Sequence, residues 1–507
     1  MPGALWPGRR LGVIDIGSNS VRFVIYALYG ASFFPVYNEK ILAGLGRNLR
    51  ETEKLSADGK RETLRALARF RALVDARALS PVLIAATAAM RDGGDALEFR
   101  EAVRDATRFD IAPISGAEEA RLAALGVLAG DRRANGLVCD LGGASLEFVR
   151  VAGGEVGAGV STNLGPFQVV GDDLAGGFDP DAYRATLAAT LAPIDLGDVD
   201  VAYLVGGAWR NLMKVHQERS GYPLHILQGY SVSRDEALAF CRWAYGEGRN
   251  AIASWQGISS RRRETLPYGA LALEAVIRKF QPSEVRVSST GLREGLVADH
   301  LGELRHTRSA LIDGCRDLAR GNLQAEGFAV PLGRFLAPIE AHLPSAFAPQ
   351  SEARLRRAAR HLAGMGKGLH PDYRAELVFE QVLYAPIAGL LHAERAYLAH
   401  IMHNCYTFGL GTSNEAAMDH LLTPAQRQAA RCYGAAIRLA VAASGRTPEL
   451  LGEMVLSWED EVRLKARAPY QALDGIRVDH RLAKLNSLLR NLEEDSEDDS
   501  PEDDSED

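Results

Sequence analysis

The five cysteines, Cys139, Cys241, Cys315, Cys405 and Cys432, include no C-x-x-C pair. That speaks against a thiolate zinc site and a disulfide scaffold, and suits a reducing compartment. No apolar run approaches the about 20 residues that a bilayer-spanning helix needs. Nor does the N-terminus, MPGALWPGRR, look like a secretory leader, because its arginines follow a short segment broken by Pro and Gly. A cytoplasmic protein is expected, with neither a membrane nor DNA as a partner.

What is present is a chain of 507 residues, 47% hydrophobic and 24% charged. At about 150 residues per domain, that is room for three. The net charge of −7 is misleading, since eleven of the 65 acidic residues lie in the last fifteen positions, EEDSEDDSPEDDSED. The remainder carries 58 basic against 54 acidic residues, a net +4 able to host an anion site. The tail cannot bury apolar surface and is expected to be disordered. Two readings are open for it, a solubilising terminus or an electrostatic decoy for basic surface.

Strand-like and helix-like segments alternate through the first third. Arg10–Asp15, Ser20–Leu28, Ser32–Tyr37, Pro81–Thr87 and Ile111–Ile114 read as strands; Asp58–Leu79, Asp95–Phe109 and Glu118–Leu128 read as helices. Further strands are expected at Glu155–Ser161, Val199–Val205 and Val285–Val287, with helices at Asp181–Leu191 and Trp209–Gln217. That is the pattern of an α/β domain. From about Arg305 the texture becomes rich in Ala, Leu and Arg, and strand signals fade. Helices are expected at Ser351–Leu362, Ala375–Leu383, Ala393–Met402 and Pro424–Val441.

One stretch occurs twice. VIDIGSNSVRFV at 13–24 aligns with VCDLGGASLEFV at 138–149, so that Asp15, Gly17, Ser20 and Phe23 correspond to Asp140, Gly142, Ser145 and Phe148, 125 residues later. Duplication gives two related halves facing each other across a cleft. Each copy is a turn after an apolar strand, rich in Gly and Ser. Successive backbone N–H groups there form an anion-binding concavity; taken singly, each turn is also an ordinary hairpin.

Asp140 and Glu147 bracket the second turn on opposite strands. Two carboxylates beside a phosphate repel it unless a cation intervenes, so the pair implies a hard divalent ion, Mg²⁺ by chemistry. The other reading makes Glu147 a solvent-facing residue, as its counterpart Arg22 suggests. In Ser115-Gly-Ala-Glu-Glu119, Ser115 and Glu118 form a capping box, which leaves Glu119 either to orient a water or to complement the helix dipole. Arg91 lies just past a strand end, where its guanidinium suits phosphate oxygens or a surface salt bridge. Gly206-Gly207 is a third glycine turn after a strand, and Ser289-Thr-Gly-Leu-Arg293 is the same kind of strand-to-helix anion turn.

These residues together resemble the exopolyphosphatase/guanosine pentaphosphate phosphatase family. The resemblance rests on DIGSNSVRF at 15–23, ATAAMR at 86–91, SGAEEA at 115–120, DLGGASLEF at 140–148, RRRETLPYGALALEAV at 261–276 and GLREG at 291–295. It implies two actin/Hsp70/sugar-kinase-like (ribonuclease H-like) halves, at 1–133 and 134–305. An all-α C-terminal domain follows at 306–492 and the acidic tail at 493–507. It implies Glu119 as the water-activating residue and Asp140 and Glu147 as the acidic pair around the metal. Asp15, Gly17, Ser18, Asn19, Ser20, Gly142, Gly143, Ser145 and Arg91 are implied to hold phosphate. The expected activity is Mg²⁺-dependent release of orthophosphate from inorganic polyphosphate by a homodimer, with a monovalent ion such as K⁺ as a further cofactor. The alternative substrate is guanosine pentaphosphate. A kinase of the same superfamily would have no use for SGAEEA at this spacing, and a mere binding protein none for three acidic positions.

The C-terminal domain resembles a degenerate His-Asp phosphohydrolase domain: the chain has no His-Asp dipeptide, and His361-Leu-Ala-Gly-Met-Gly366 stands where one is expected. A second metal site there is not expected, and His400-x-x-His403 reads as packed residues. Arg354, Arg356, Arg357, Arg360 and Lys367 crowd one segment, either as a positive track for polyphosphate or as a solvated helix face.

Overall fold

The computed structural model describes residues 9–170, 178–258, 263–320, 323–407, 415–473 and 475–497. The chain divides into two compact units, one ending at Ala310 and the other beginning at Leu311.

The first unit is built twice to one plan. Its first sheet has strands β1 (Arg10–Ile16), β2 (Val21–Tyr29), β3 (Ser32–Ile41) and β4 (Val82–Ala86), in the order β3-β2-β1-β4. The segment expected as a strand at Ile111–Ile114 is reduced to one parallel bridge, Pro113 to Ala86, in the place of a fifth strand. Helices α1 (Ala57–Ala76), α2 (Ala88–Asp92), α3 (Ala96–Thr107) and α4 (Gly116–Gly130) follow the first strands. The second sheet comprises β5 (Gly136–Leu141), β6 (Leu146–Ala152), β7 (Glu155–Thr162), β8 (Val201–Val205), β9 (Ser231–Ser233) and β10 (Glu284–Val287). They run β7-β6-β5-β8-β10-β9. With it come helices α5 (Pro180–Leu191), α6 (Gly207–Arg219), α7 (Arg234–Tyr245), α8 (Leu266–Phe280) and α9 (Leu292–Leu301).

Register makes the duplication explicit. In the β1/β2 hairpin Asp15 stands opposite Arg22 and Ile16 opposite Val21; in β5/β6, Asp140 stands opposite Glu147 and Leu141 opposite Leu146. Both hairpins have the same apolar alternation, with Phe23 and Phe148 fully buried.

The two halves exchange a helix. Ala120, Ala124, Val127 and Leu128 of α4, which belongs by sequence to the first half, pack into the core under β5, β6 and β8 of the second. Val297 of α9, from the end of the second half, packs with Leu11, Val13, Val24 and Tyr26 of the first. The two helices cross at glycines. A Cβ on Gly126 would stand 2.0 Å from the Gly291 oxygen, and one on Gly295 1.8 Å from the Leu122 oxygen, so only hydrogen fits at either position. A boundary at 133/134 therefore follows the chain but not the packing.

The second unit is mostly helical: α10 (Ala310–Leu318), α11 (Leu323–Leu336), α12 (Pro349–Leu362), α13 (Arg374–Tyr384), α14 (His392–Asn404), α15 (Pro424–Ser444) and α16 (Ile476–Glu497). The all-α expectation needs one correction, an antiparallel hairpin of β11 (Met454–Glu459) and β12 (Glu461–Ala466). Asn486 of α16 fastens it, exchanging hydrogen bonds of 2.9 and 3.0 Å with the Val462 backbone. Helix α16 runs to Glu497, past the start of the acidic segment at Glu493. The rest of that segment, residues 498–507, lies outside the described residues, as do Arg261 and Arg262 of the basic run. No described helix is long and apolar enough to cross a membrane.

Candidate active site

A cleft of about 580 Å³ opens between the two hairpin turns. Each turn is closed alike. The Gly17 N–H donates to the Ser20 oxygen and the Gly142 N–H to the Ser145 oxygen, both at 3.0 Å. The carbonyls of Ser18 and Asn19 accept from Gly46 and Gly44, at 2.7 and 3.0 Å. Those of Gly143 and Ala144 accept from Phe167 and Gly165, at 2.9 and 3.1 Å. Both turns line the cleft with their carbonyls tied to the chain behind, and Gly/Ser turns of this kind suit an anion through their backbone N–H groups.

The cleft brings together Asp15, Gly17, Ser18, Asn19, Ser20, Glu119, Asp140, Gly142, Gly143 and Ser145 of the residues expected from sequence. Glu119 reaches it from the first turn of α4. Ser115 caps that helix by accepting from the Glu118 N–H at 3.1 Å. The reciprocal half of the box is absent, because the Glu118 carboxylate turns to Arg121 at 2.7 and 2.8 Å. Glu118 is thus engaged structurally while Glu119 faces the cleft.

Two expected residues stand behind the wall. Glu147 is buried, held by a 3.0 Å hydrogen bond from the Ser161 hydroxyl. The Arg91 Nη1 is 3.9 Å from Glu119 Oε2, while its guanidinium bonds Asp92 at 3.0 Å and the Ile114 oxygen at 3.2 Å.

The sequence reading missed Arg210 altogether, and named Arg22 and the turn ending in Arg293 without giving either arginine a place in the cleft. Arg22, Arg210 and Arg293 line the cleft. Arg293 reaches from the first turn of α9 to Asp15 at 3.0 Å. Arg210, one helical turn beyond Gly206, bonds the Gly206 and Ser289 oxygens at 3.1 Å each. Arg22 bonds Asn38 at 2.7 Å. The signals were present: Arg22 holds Glu147's place in the first repeat, and the other two begin helices after glycine turns.

Electrostatically the site is divided. Burial, then the Arg293 and Arg210 charges, lower the Arg22 pKa to about 10. Burial raises Asp140 to about 6, with Arg210 opposing and Asp15 adding. Glu147 rises to about 8, through burial and then Asp140. Glu119 is pushed well above the ordinary carboxylate range by burial, then by Glu147, Asp140 and Asp15, with Arg91 opposing. Its Oε2 is buried with no hydrogen-bond partner among the described residues. Such a cluster is poised for a cation or a proton. Among the described residues no three His, Cys, Asp or Glu side chains are grouped to enclose a metal by themselves.

A family model described as the Ppx/GppA phosphatase family matches residues 24–304, more than half of the chain. The chain belongs to that family. A second model, "Exopolyphosphatase, C-terminal", matches residues 346–492. Among curated proteins, the chain is 26% identical over 311 residues to Exopolyphosphatase 1 of Mycobacterium tuberculosis, covering 57% of this chain and 87% of that protein. It is 24% identical over 303 residues to a guanosine-5'-triphosphate,3'-diphosphate pyrophosphatase of Pseudoalteromonas atlantica, covering 57% and 58%. The solved structure of an exopolyphosphatase from Cytophaga hutchinsonii superposes with a TM-score of 0.53 at 22% identity, over 58% of this chain and 98% of that one. The fold expected for the Ppx/GppA family is thereby borne out.

The arginines of the second unit correct the sequence reading. Arg356 is 6% exposed and internal: it pairs with Glu352 at 2.7 Å and donates to the Glu340, Leu343 and Pro344 oxygens. Arg354 pairs with Glu394 and donates to the Gly389 oxygen. The helical period turns Arg356 to the inner face of α12 with Leu355 and Ala359, so it cannot belong to an exposed track. Arg357 and Lys367 are exposed, and Arg360 is partly so, paired with Glu340 at 2.9 Å. His400 and His403 are buried, with burial pushing His400 down to about 3.

Proposed function

We propose that the chain is an exopolyphosphatase, hydrolysing the terminal phosphoanhydride of inorganic polyphosphate and releasing orthophosphate. The observation that carries this reading is Glu119, a buried carboxylate with a partnerless oxygen and a raised pKa, on a cleft walled by two anion-binding turns. The turns hold the terminal phosphoryl group from both sides through N–H groups and the Ser18, Ser20 and Ser145 hydroxyls. Arg22, Arg210 and Arg293 neutralise the chain's oxygens. Glu119 orients a water in line with the phosphorus and takes its proton as the new P–O bond forms. The bridging P–O bond breaks, and the shortened chain leaves with the electron pair. Because phosphoryl transfer depends mostly on positioning and charge stabilisation, this set is sufficient. Asp140 and Glu147 would hold a divalent cation, whose chemistry is to offset charge on the transferring phosphoryl group. Arg91 acts through Glu119, drawing its pKa toward the working range.

Guanosine pentaphosphate offers the same terminal phosphates, and the match to the Pseudoalteromonas protein keeps it as the second reading. The test is phosphate release with Mg²⁺ from long-chain polyphosphate and guanosine pentaphosphate in parallel. Faster turnover of polyphosphate is expected. Preference for the nucleotide would establish the second reading, and no release from either would overturn both.

A further inference from the structure

Glu294 follows Arg293 in the first turn of α9, and both of its carboxylate oxygens are engaged. One accepts from the Gly291 N–H at 2.9 Å, which caps the helix; the other accepts from the Tyr26 hydroxyl of β2. The cap belongs to the second half and Tyr26 to the first, so one side chain ties the two together beside the cleft. We propose that Tyr26 and Glu294 are positioning residues for the phosphate site: their bond fixes where α9 begins and thereby aims the Arg293 guanidinium at the bound phosphate.

A helix cap occupies one carboxylate oxygen, so the second bond is not needed to start α9. Arg293 does need it. Its Nη1 donates to Asp15 at 3.0 Å, while its Nε is buried with no hydrogen-bond partner among the described residues. A guanidinium fork held at one end can turn about that bond, and its aim then follows the helix that carries it. Burial works to lower the Arg293 pKa, and Glu294, Asp15 and Tyr26 outweigh it, so the guanidinium stays charged.

Strand β2 lays out the same connection along one face. With a period of two, Arg22, Val24 and Tyr26 point the same way. Arg22 lines the cleft, Val24 packs with Val297 of α9, and Tyr26 bonds Glu294. Tyr26 is buried, and burial and then Glu294 keep the proton on its hydroxyl. Charge alternates across the joint, from Glu294 to Arg293, Asp15 and Arg22, so a loosened end misplaces the rest. Phenylalanine would fill the same space in the core; what the hydroxyl adds is the link.

This inference rests on the proposed binding of phosphate in the cleft, and its test separates it from hydrolysis. Inorganic tripolyphosphate is titrated calorimetrically into the full-length protein with divalent ions chelated, so that nothing turns over. The class of site that weakens in R22M is the cleft's, and its affinity is the readout. Y26F is expected to weaken it roughly threefold to tenfold, the equivalent of one hydrogen bond, with melting near that of the wild type. R293M should weaken it more, and Y26F/R293M no further than R293M, because the tyrosine acts through the arginine. A merely structural tyrosine would lower the melting temperature and show no such coupling. E294Q, with one acceptor oxygen in place of two, repeats the cycle should Y26F melt early. Wild-type affinity in Y26F, or losses that add in the double variant, would overturn the proposal. A wild type with no class of site weakened by R22M would remove the cleft's phosphate site and this inference with it. Coupling as expected, but no phosphate release with Mg²⁺, would overturn the hydrolytic reading alone.

Discussion

The two hairpins of the first unit are alike in turn, register and hydrogen bonding, and differ in one charge. Opposite Asp15 stands Arg22, with Arg293 beyond it; opposite Asp140 stands Glu147. On the proposed reading, one copy thereby becomes the anion side of the cleft and the other the cation side. The two copies share a scaffold and differ by a reversal of sign at one position. The helix exchange completes the arrangement, since α4 delivers Glu119 among the second half's carboxylates and α9 delivers Arg293 to the first half's aspartate.

Breaking the acidic copy should cost most. Glu147→Gln keeps the shape and removes the charge; phosphate release is expected to fall roughly 10³-fold, equivalent to about 4 kcal/mol, with a raised Mg²⁺ requirement. Unchanged release in the folded variant would remove Glu147 from the cation side. The same residue governs a pH effect on stability. Folded, Glu147 keeps its proton to about 8; unfolded, it loses it near its ordinary 4.5. Between those values the native state binds more protons, so stability should fall as pH rises and level off above about 8. Thermal melting without divalent ions from pH 5 to 9 should show that decline, and Glu147→Gln should flatten it.

The basic copy should be less sensitive. Arg22→Met removes one of three arginines, and kcat/KM for polyphosphate is expected to drop about 10–10²-fold, the range of a charged hydrogen bond worth about 1.5–3 kcal/mol. A greater loss than in Glu147→Gln would invert the comparison. The exchange of helices is tested by Gly295→Ala, whose methyl meets the Leu122 carbonyl. It should destabilise by about 1–3 kcal/mol and lower the melting temperature.

The repeat was legible because turns and alternating strands are local, so Asp15, Asp140 and both glycine loops were found by alignment of the chain with itself. Glu119 was separable from Glu118 through the Ser115 cap alone, although the Glu118 side chain went to Arg121 instead. Arg22 was seen and set aside, because its meaning depends on Arg293 arriving from 271 positions later in the chain. That approach, like the crossing at Gly126 and Gly295, is tertiary, and no local pattern encodes it. Arg356 was placed on a surface track because charge density along a sequence does not say which face of a helix each arginine takes. The β11/β12 hairpin escaped notice as two short strands inside a helix-rich texture.

The most direct test of the account is single-turnover phosphate release from long-chain polyphosphate by Glu119→Gln beside the wild type, with Mg²⁺ and with melting curves to confirm folding. A fall of roughly 10²–10⁴-fold in the chemical step, with polyphosphate binding retained, is the expected result for a lost general base. Near-wild-type release from the folded variant would contradict it.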